Sequence, residues 1–240
     1  LTWASKPFQT LFNQYLPHWK TDEKAFQAAG KIPLDQIWQA HQLNKMDLIE
    51  TIQEKTGTEF SQETLTIGFA RRAAPYKRAS LLFHDLTRFI QIGQGKIQVV
   101  YAGIAHPQDQ AGKDEIQKVI EATRALKDKI KIVYLENYKV PLGALLTAGV
   151  DVWLNNPIRP REASGTSGMK AALNGNPNLS ILDGWWIEGH EEEITGWAFG
   201  DEPKENTLTE PDHAADANAL YEVLEKKVIP TFYENHARWL

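Results

Sequence analysis

Cysteine is absent from the 240 residues, which excludes disulfides and thiolate metal sites and fits a reducing, cytoplasmic compartment. No apolar run approaches the length of a membrane span, and Leu1 to Thr10 lacks the charged start and apolar middle of a signal peptide. Positive charge is not in excess. The formal net charge is -5, which argues against nucleic acid and membrane surfaces as partners, so any basic cluster must be local. No repeat or low-complexity tract is present. What remains is an ordinary globular composition, 42% apolar and 24% charged, enough for one large domain or two small ones. The chain does not start with Met and stops in a helical pattern at Arg238-Trp239-Leu240, which suggests a piece of a longer protein.

Residues 1 to 56 read as helical. Leu34, Ile37, Trp38, His41, Leu48, Ile49 and Ile52 recur at three- and four-residue steps, with Pro17, Gly30 and Pro33 marking turns. His41 on that stripe reads as a satisfied core histidine rather than a ligand. From residue 64 the rhythm changes to short apolar strands at Leu65–Phe69, Ile97–Ala102, Lys131–Leu135, Val150–Leu154, Leu179–Leu182 and Gly196–Phe199. Between them lie helical patterns through Leu82 to Ile90, over 112 to 127, and over Pro141 to Ala148. Residues 200 to 213 read as a solvated loop, followed by a closing helix with Leu220, Val223, Leu224 and Val228 inward. Strands alternating with helices predict right-handed βαβ units on a parallel sheet covered on both faces.

One stretch concentrates chemistry: Glu162-Ala163-Ser164-Gly165-Thr166-Ser167-Gly168-Met169-Lys170. The glycines allow close backbone approach, and Thr166 or Ser167 is placed to cap a helix that starts here. The N–H groups of a helix start hold phosphate or carboxylate, and the Lys170 amine, one turn in, is able to form a Schiff base. An isolated Gly-x-x-Gly-x-Lys is more often a turn with a surface lysine. Here, however, basic residues gather upstream.

In a parallel sheet, ligands bind beyond the carboxyl ends of the strands. The first strand runs into Arg71, Arg72, Lys77 and Arg78, four cations in eight positions. Arginine suits bidentate phosphate contact and lysine a point charge. No dinucleotide-type glycine fingerprint follows that strand, which argues against a nicotinamide cofactor. The second strand ends at His106-Pro107, which either aims the imidazole at the cleft or shapes the turn. The third ends in Glu136-Asn137-Tyr138-Lys139, and the fourth in a proline-framed lead from Asn155 to Glu162. The fifth ends at Asp183-Gly184-Trp185-Trp186, either a sugar platform or a hydrophobic lid.

These residues are familiar. Thr66 to Arg72, Tyr76-Lys77-Arg78, Leu135 to Tyr138 and Glu162 to Lys170 resemble the C-terminal domain of α-glucan (glycogen/starch) phosphorylases. The match is to the short bacterial type, which has Ser-Gly before Met-Lys where long types have Gly-Asn. The resemblance runs in order from about Trp3 to the last helix. It implies the second, Rossmann-like half of a two-domain GT-B glycosyltransferase. Residues 1–240 would form one such domain, with a helical lead-in over 1–56, an α/β core over 64–200 and a closing helix over 214–240.

The resemblance also implies pyridoxal 5'-phosphate on Lys170 and phosphorolysis of α-1,4-glucan to glucose 1-phosphate. In this family the cofactor phosphate does acid–base work through substrate phosphate, and the ring is not an electron sink. By position, Arg71 resembles the basic residue near the cofactor phosphate, while Arg72 and Lys77 resemble ligands of substrate phosphate. Thr166, Ser167 and the following amides match the cofactor-phosphate cradle. Glu162 and Gly165 match contacts to glucose hydroxyls, and Tyr76 and Tyr138 match tyrosines near the site. The implied partners are inorganic phosphate, an α-glucan and the N-terminal domain of the parent chain, and a homo-oligomer is compatible.

One departure stands out: Ile104 occupies the place of a lysine in the family's Ala-Gly-Lys-Ala-His-Pro. With the N-terminal half missing, the chain alone is not expected to turn over glucan. Two rival classes follow. A nucleotide-sugar glycosyltransferase of this architecture often has a second glutamate eight residues after the first, but here that residue is Lys170, which cannot accept ribose hydroxyls. A degenerate carbohydrate- or partner-binding domain draws support from Ile104 and is opposed by the intact nine-residue motif.

Overall fold

Apolar runs too short for helices and bounded by polar turns pair side by side. The computed structural model describes residues 2–201 and 211–239, so most of the expected solvated loop lies outside the described residues. The strands are β1 (Leu65–Arg72), β2 (Ile97–Ile104), β3 (Lys131–Leu135), β4 (Val152–Asn155), β5 (Asn178–Ile181) and β6 (Gly196–Phe199). They form a parallel sheet in the order β3-β2-β1-β4-β5-β6. The order reverses between β1 and β4, and the crevice beyond their carboxyl ends is where such a sheet receives ligands.

Strand alternation sends Ile67 and Phe69 to one face and Ala70 to the other. The first face packs under α3 (Leu86–Gly93), α4 (Gln110–Leu126) and α8 (His213–Val223). The second packs Val100, Val133 and Trp153 against Leu48 of α2 (Leu34–Thr56), Leu146 of α5 (Val140–Gly149) and Ala171 of α6 (Thr166–Ala172). A third cluster joins α1 (Lys6–Tyr15) to Trp19 and Ile32 through Phe8 and Phe12. Among the described residues, no helix is long and apolar enough to cross a membrane.

Several boundaries differ from the sequence reading. The first strand extends past Phe69 to Arg72, so Arg71 and Arg72 belong to the carboxyl end of the strand rather than to a turn. The pattern through Leu82 to Ile90 is broken: a 3₁₀ turn at Leu81–Phe83 ends, and α3 restarts where Asp85 caps the Arg88 amide at 2.9 Å. The lead-in contains a 3₁₀ stretch, Glu23–Lys31, between its α-helices. The closing helix passes through a π turn, Leu224–Val228, into α9 (Ile229–Glu234) and α10 (His236–Trp239), with α7 (Trp186–Gly189) a single turn after β5.

His41 is a satisfied core histidine. Its Nε2 lies 2.8 Å from Asp151 Oδ1, and the other Asp151 oxygen accepts from Lys45 Nζ at 2.6 Å and the Thr66 amide at 2.7 Å. Burial alone would raise the Asp151 pKa, but Lys45 and His41 outweigh it and hold it below the usual carboxylate range. This buried knot ties α2 to the starts of β1 and β4, at the end of the sheet opposite the crevice.

Candidate active site

At the carboxyl end of β1, successive residues leave opposite faces of the sheet. Arg71 is buried and Arg72 is exposed. The chain then makes a 3₁₀ turn, Pro75–Lys77, and Arg78 follows in the left-handed region. Arg78 donates to the carbonyls of Asn156 and Pro157 at 2.8 and 2.9 Å and pairs with Asp216 at 2.6 Å. Of the four clustered cations, Arg78 therefore anchors the turn to the β4 exit and to α8. It is not free for a ligand.

Anchoring Arg78 aims its neighbour inward. Lys77 is buried, stacks its amine over the Tyr76 ring at 4.6 Å, and pairs with Glu162. Arg71 Nη2 meets the same Glu162 oxygen at 2.9 Å. One carboxylate thus serves two buried cations, and among the described residues Arg71 Nη1 is buried with no hydrogen-bond partner. Burial pulls the Arg71 pKa down, opposed by Glu162. Tyr138 joins this group: its hydroxyl donates to the Ala70 carbonyl at 3.4 Å, and burial raises its pKa against the pull of Arg71.

The nine-residue motif is gripped from β5. Asp183 Oδ2 accepts the Glu162 amide at 2.9 Å, Asp183 Oδ1 accepts the Gly184 amide at 2.9 Å, and the Trp185 amide donates to the Ser164 carbonyl at 2.8 Å. Burial raises the Asp183 pKa, opposed by those two amides. The expected cap is corrected. Gly165, at φ 80 and ψ 42, occupies the cap of α6 with no side-chain hydrogen bond, and Thr166 is the exposed first helical residue. A left-handed cap favours glycine over threonine or serine. Ser167 Oγ instead donates to Asn155 Oδ1 at 3.4 Å, and Asn178 Nδ2 donates to the Gly168 carbonyl at 3.2 Å. A Cβ on Gly168 would lie 2.4 Å from Asn178 Oδ1 and 2.9 Å from Trp185 Nε1, so only glycine fits there.

Lys170 shares no ion pair with the Glu162 cluster. Its amine lies 3.8 Å from the centre of the Trp3 ring, and burial lowers its pKa with no charged neighbour contributing. Among the described residues, the amine rests against this aromatic face of the N-terminal segment. Trp3, Asp183, Asn155 and Asn178 were not among the predicted site residues. Asp183 and Asn155 are at least legible as polar residues at strand ends; Trp3 carries no local signal.

The remaining candidates sort simply. Trp186 is buried, and Trp185, half-buried, packs on Gly165 and Gly168. His106 accepts the Gln108 amide at 3.2 Å and shapes its turn. Ile104 is 52% exposed at the end of β2, level with Arg72.

A family model for carbohydrate phosphorylases matches residues 10–231. The chain belongs to the carbohydrate phosphorylase family. A maltodextrin phosphorylase from Thermococcus litoralis is 43% identical across the whole chain, which covers 31% of that relative's length. A glycogen phosphorylase from Aquifex aeolicus is 38% identical over 99% of the chain and 37% of its own length. One from Mycobacterium tuberculosis is 44% identical over 75% of the chain and 21% of its own length. This phosphorylase chain thus spans about a third of the length of the first two.

Proposed function

We propose that this chain supplies the phosphate- and cofactor-binding side of an α-glucan phosphorylase that cleaves α-1,4-glucan with inorganic phosphate to give glucose 1-phosphate in the cytoplasm. It would be the C-terminal GT-B-type domain, inactive without the remainder that the relatives possess. The observation that carries this reading is Glu162 shared by buried Arg71 and Lys77, with Arg71 Nη1 unpartnered. The carboxylate stands where an oxyanion would be held.

The residues present fit pyridoxal phosphate. Lys170 offers a half-buried amine that pairs with no carboxylate among the described residues. Gly165 and Gly168 let the motif pack closely on Glu162, Asn178 and Trp185, with Thr166 and Ser167 between them at the start of the helix that carries Lys170. When bound, the cofactor supplies a phosphate able to exchange a proton with substrate phosphate. Arg71 and Tyr138 would border that group. Lys77 and Arg72 would hold and orient substrate phosphate, and Glu162, Gly165 and Tyr76 would receive the terminal sugar. Bringing two phosphates together requires local positive charge, and each fixed cation in a dry cleft offsets on the order of a few kcal/mol.

Incubating the chain with pyridoxal phosphate, reducing with borohydride and mapping the adduct by mass spectrometry tests the cofactor assignment. Label on Lys170 is expected. Label scattered over surface lysines, equal in a Lys170→Arg variant, would overturn it.

A further inference from the structure

Asn174 is fully buried, two residues beyond α6, and its side chain makes three long-range or helix-closing bonds. Its Oδ1 accepts the Ser5 amide at 2.8 Å, and its Nδ2 donates both to the Trp3 carbonyl at 2.8 Å and to the Lys170 carbonyl at 2.8 Å. One amide group thereby ties the segment around Trp3 to the helix that carries Lys170. The next residue strengthens the junction: Gly175, at φ 72, turns so closely past Phe8 of α1 that a Cβ would lie 2.9 Å from its ring. The Trp3 ring then lies over the Lys170 amine.

We propose that Asn174 is a positioning residue for Lys170, acting through Trp3: it locks the N-terminal segment so that the indole face holds the amine in one place. The inference rests on reading Lys170 as the cofactor attachment point. Its chemical sense is that an aromatic face fixes an amine without a permanent counter-ion. A carboxylate in the same place would hold the amine protonated and unreactive, whereas the indole attracts the ammonium only weakly, by about 0.5–1 kcal/mol at a partly exposed site. Placement, by contrast, strongly affects addition to a carbonyl, and a small displacement of a reacting atom costs on the order of tenfold or more in rate.

The test places ¹³C-methyl groups on the lysine amines and reads the Lys170 signal by NMR, assigned by its loss in Lys170→Arg. An amine over an indole face gives a signal displaced well upfield of ordinary lysines. Asn174→Ala and the isosteric Asn174→Asp, which keeps the Ser5 bond and loses both donations, are expected to remove most of that displacement while circular dichroism shows a folded chain. Both should slow attachment of pyridoxal phosphate at Lys170 of the unmethylated protein by roughly tenfold. Should both Asn174 variants fail to fold, Trp3→Phe and Trp3→Leu, which leave the Asn174 bonds in place, decide: the phenyl ring must retain part of the displacement and rate, and the leucine must lose both. Folded Asn174 variants with an unmoved signal and unchanged rate, or a leucine variant equal to wild type, would overturn the proposal. A displaced signal that depends on Asn174, in a chain that never takes pyridoxal phosphate at Lys170, would uphold the positioning and remove the cofactor reading instead.

Discussion

Glu162 and Arg71 meet at 2.9 Å with both side chains at least nine-tenths buried. The same Glu162 oxygen also pairs with Lys77, so the cluster carries one negative and two positive charges. Charges withdrawn from water are tolerable only when paired, and this group is left one anion short. On the proposed function, an oxyanion would fill that deficit. Glu162 would then compete with whatever anion arrives.

Replacing Glu162 by Gln tests that competition. Two buried cations lose their counter-charge, so stability in chloride should fall by about 3 kcal/mol, as when one partner of a buried pair is removed. Phosphate should restore part of the loss, because a ligand that binds only the folded state raises stability by mass action. Melting curves in phosphate and in chloride at equal ionic strength check this. The midpoint should rise more in Glu162→Gln than in wild type, and equal responses would place the anion seat elsewhere.

Asp151 makes a prediction about pH. Its folded pKa lies below the ordinary carboxylate value, because Lys45 and His41 outweigh the cost of burial. A depressed folded pKa gives stability that is complete above the unfolded value of about 3.9 and is lost as pH falls from there through the folded value. Asp151→Asn should therefore cost about 3–5 kcal/mol near neutrality, where Lys45 is left buried and unpaired. It should also flatten the acid dependence below about pH 4. Urea unfolding across that range checks both, and parallel curves for variant and wild type would contradict the assignment.

Much of the fold is legible in the amino-acid sequence. Short, mainly apolar runs rich in β-branched residues, such as Ile97–Ala102, read as strands covered on both faces, and the polar residues that follow them mark the ligand end of a parallel sheet. The motif from Glu162 to Lys170 pointed to both the carboxylate and the lysine. Three things were not readable. Asp85 splits one expected helix, because a cap residue with the right offset overrides an unbroken apolar pattern. Arg78 looks like its neighbours in sequence, and only the placement of Asp216, far along the chain, assigns it to the fold. Trp3 and Lys170 lie 167 positions apart, a pairing that no local periodicity encodes.

Gly168 tests the packing of the motif. The Cβ of alanine would meet Asn178 Oδ1 at 2.4 Å and Trp185 Nε1 at 2.9 Å, and Asn178 is fully buried and bonded to the Gly168 carbonyl. Asn178 cannot swing away into solvent, so Gly168→Ala should cost about 1–3 kcal/mol by overpacking. It should also reduce attachment of pyridoxal phosphate, since α6 carries Lys170. Gly165→Ala differs in kind. The nearest atoms are at 3.4 Å, and the cost, about 1 kcal/mol, comes from the left-handed backbone at φ 80. Chemical denaturation of both variants, with adduct mapping, checks the contrast; a Gly168→Ala variant as stable as wild type would show that the motif is loosely packed.

Ile104 sits level with Arg72 across the β1–β2 pairing, and both are exposed at the rim. Ile104→Lys adds a cation beside Arg72 in water, where like charges about 4 Å apart repel by only about 1 kcal/mol before salt screening. Stability should therefore change by less than about 0.5 kcal/mol, as for most surface substitutions. An arriving phosphate gains the new charge at similar range, so its affinity at low salt should rise roughly two- to fivefold, about 0.5–1 kcal/mol. Near 1 M salt the screening length shrinks to about 3 Å and the gain should vanish. Calorimetric titration of wild type and variant with phosphate, at low and high salt, checks all three expectations. An affinity gain that survives high salt would mean that the lysine binds phosphate directly, and no gain at all would mean that the anion seat does not extend to Arg72.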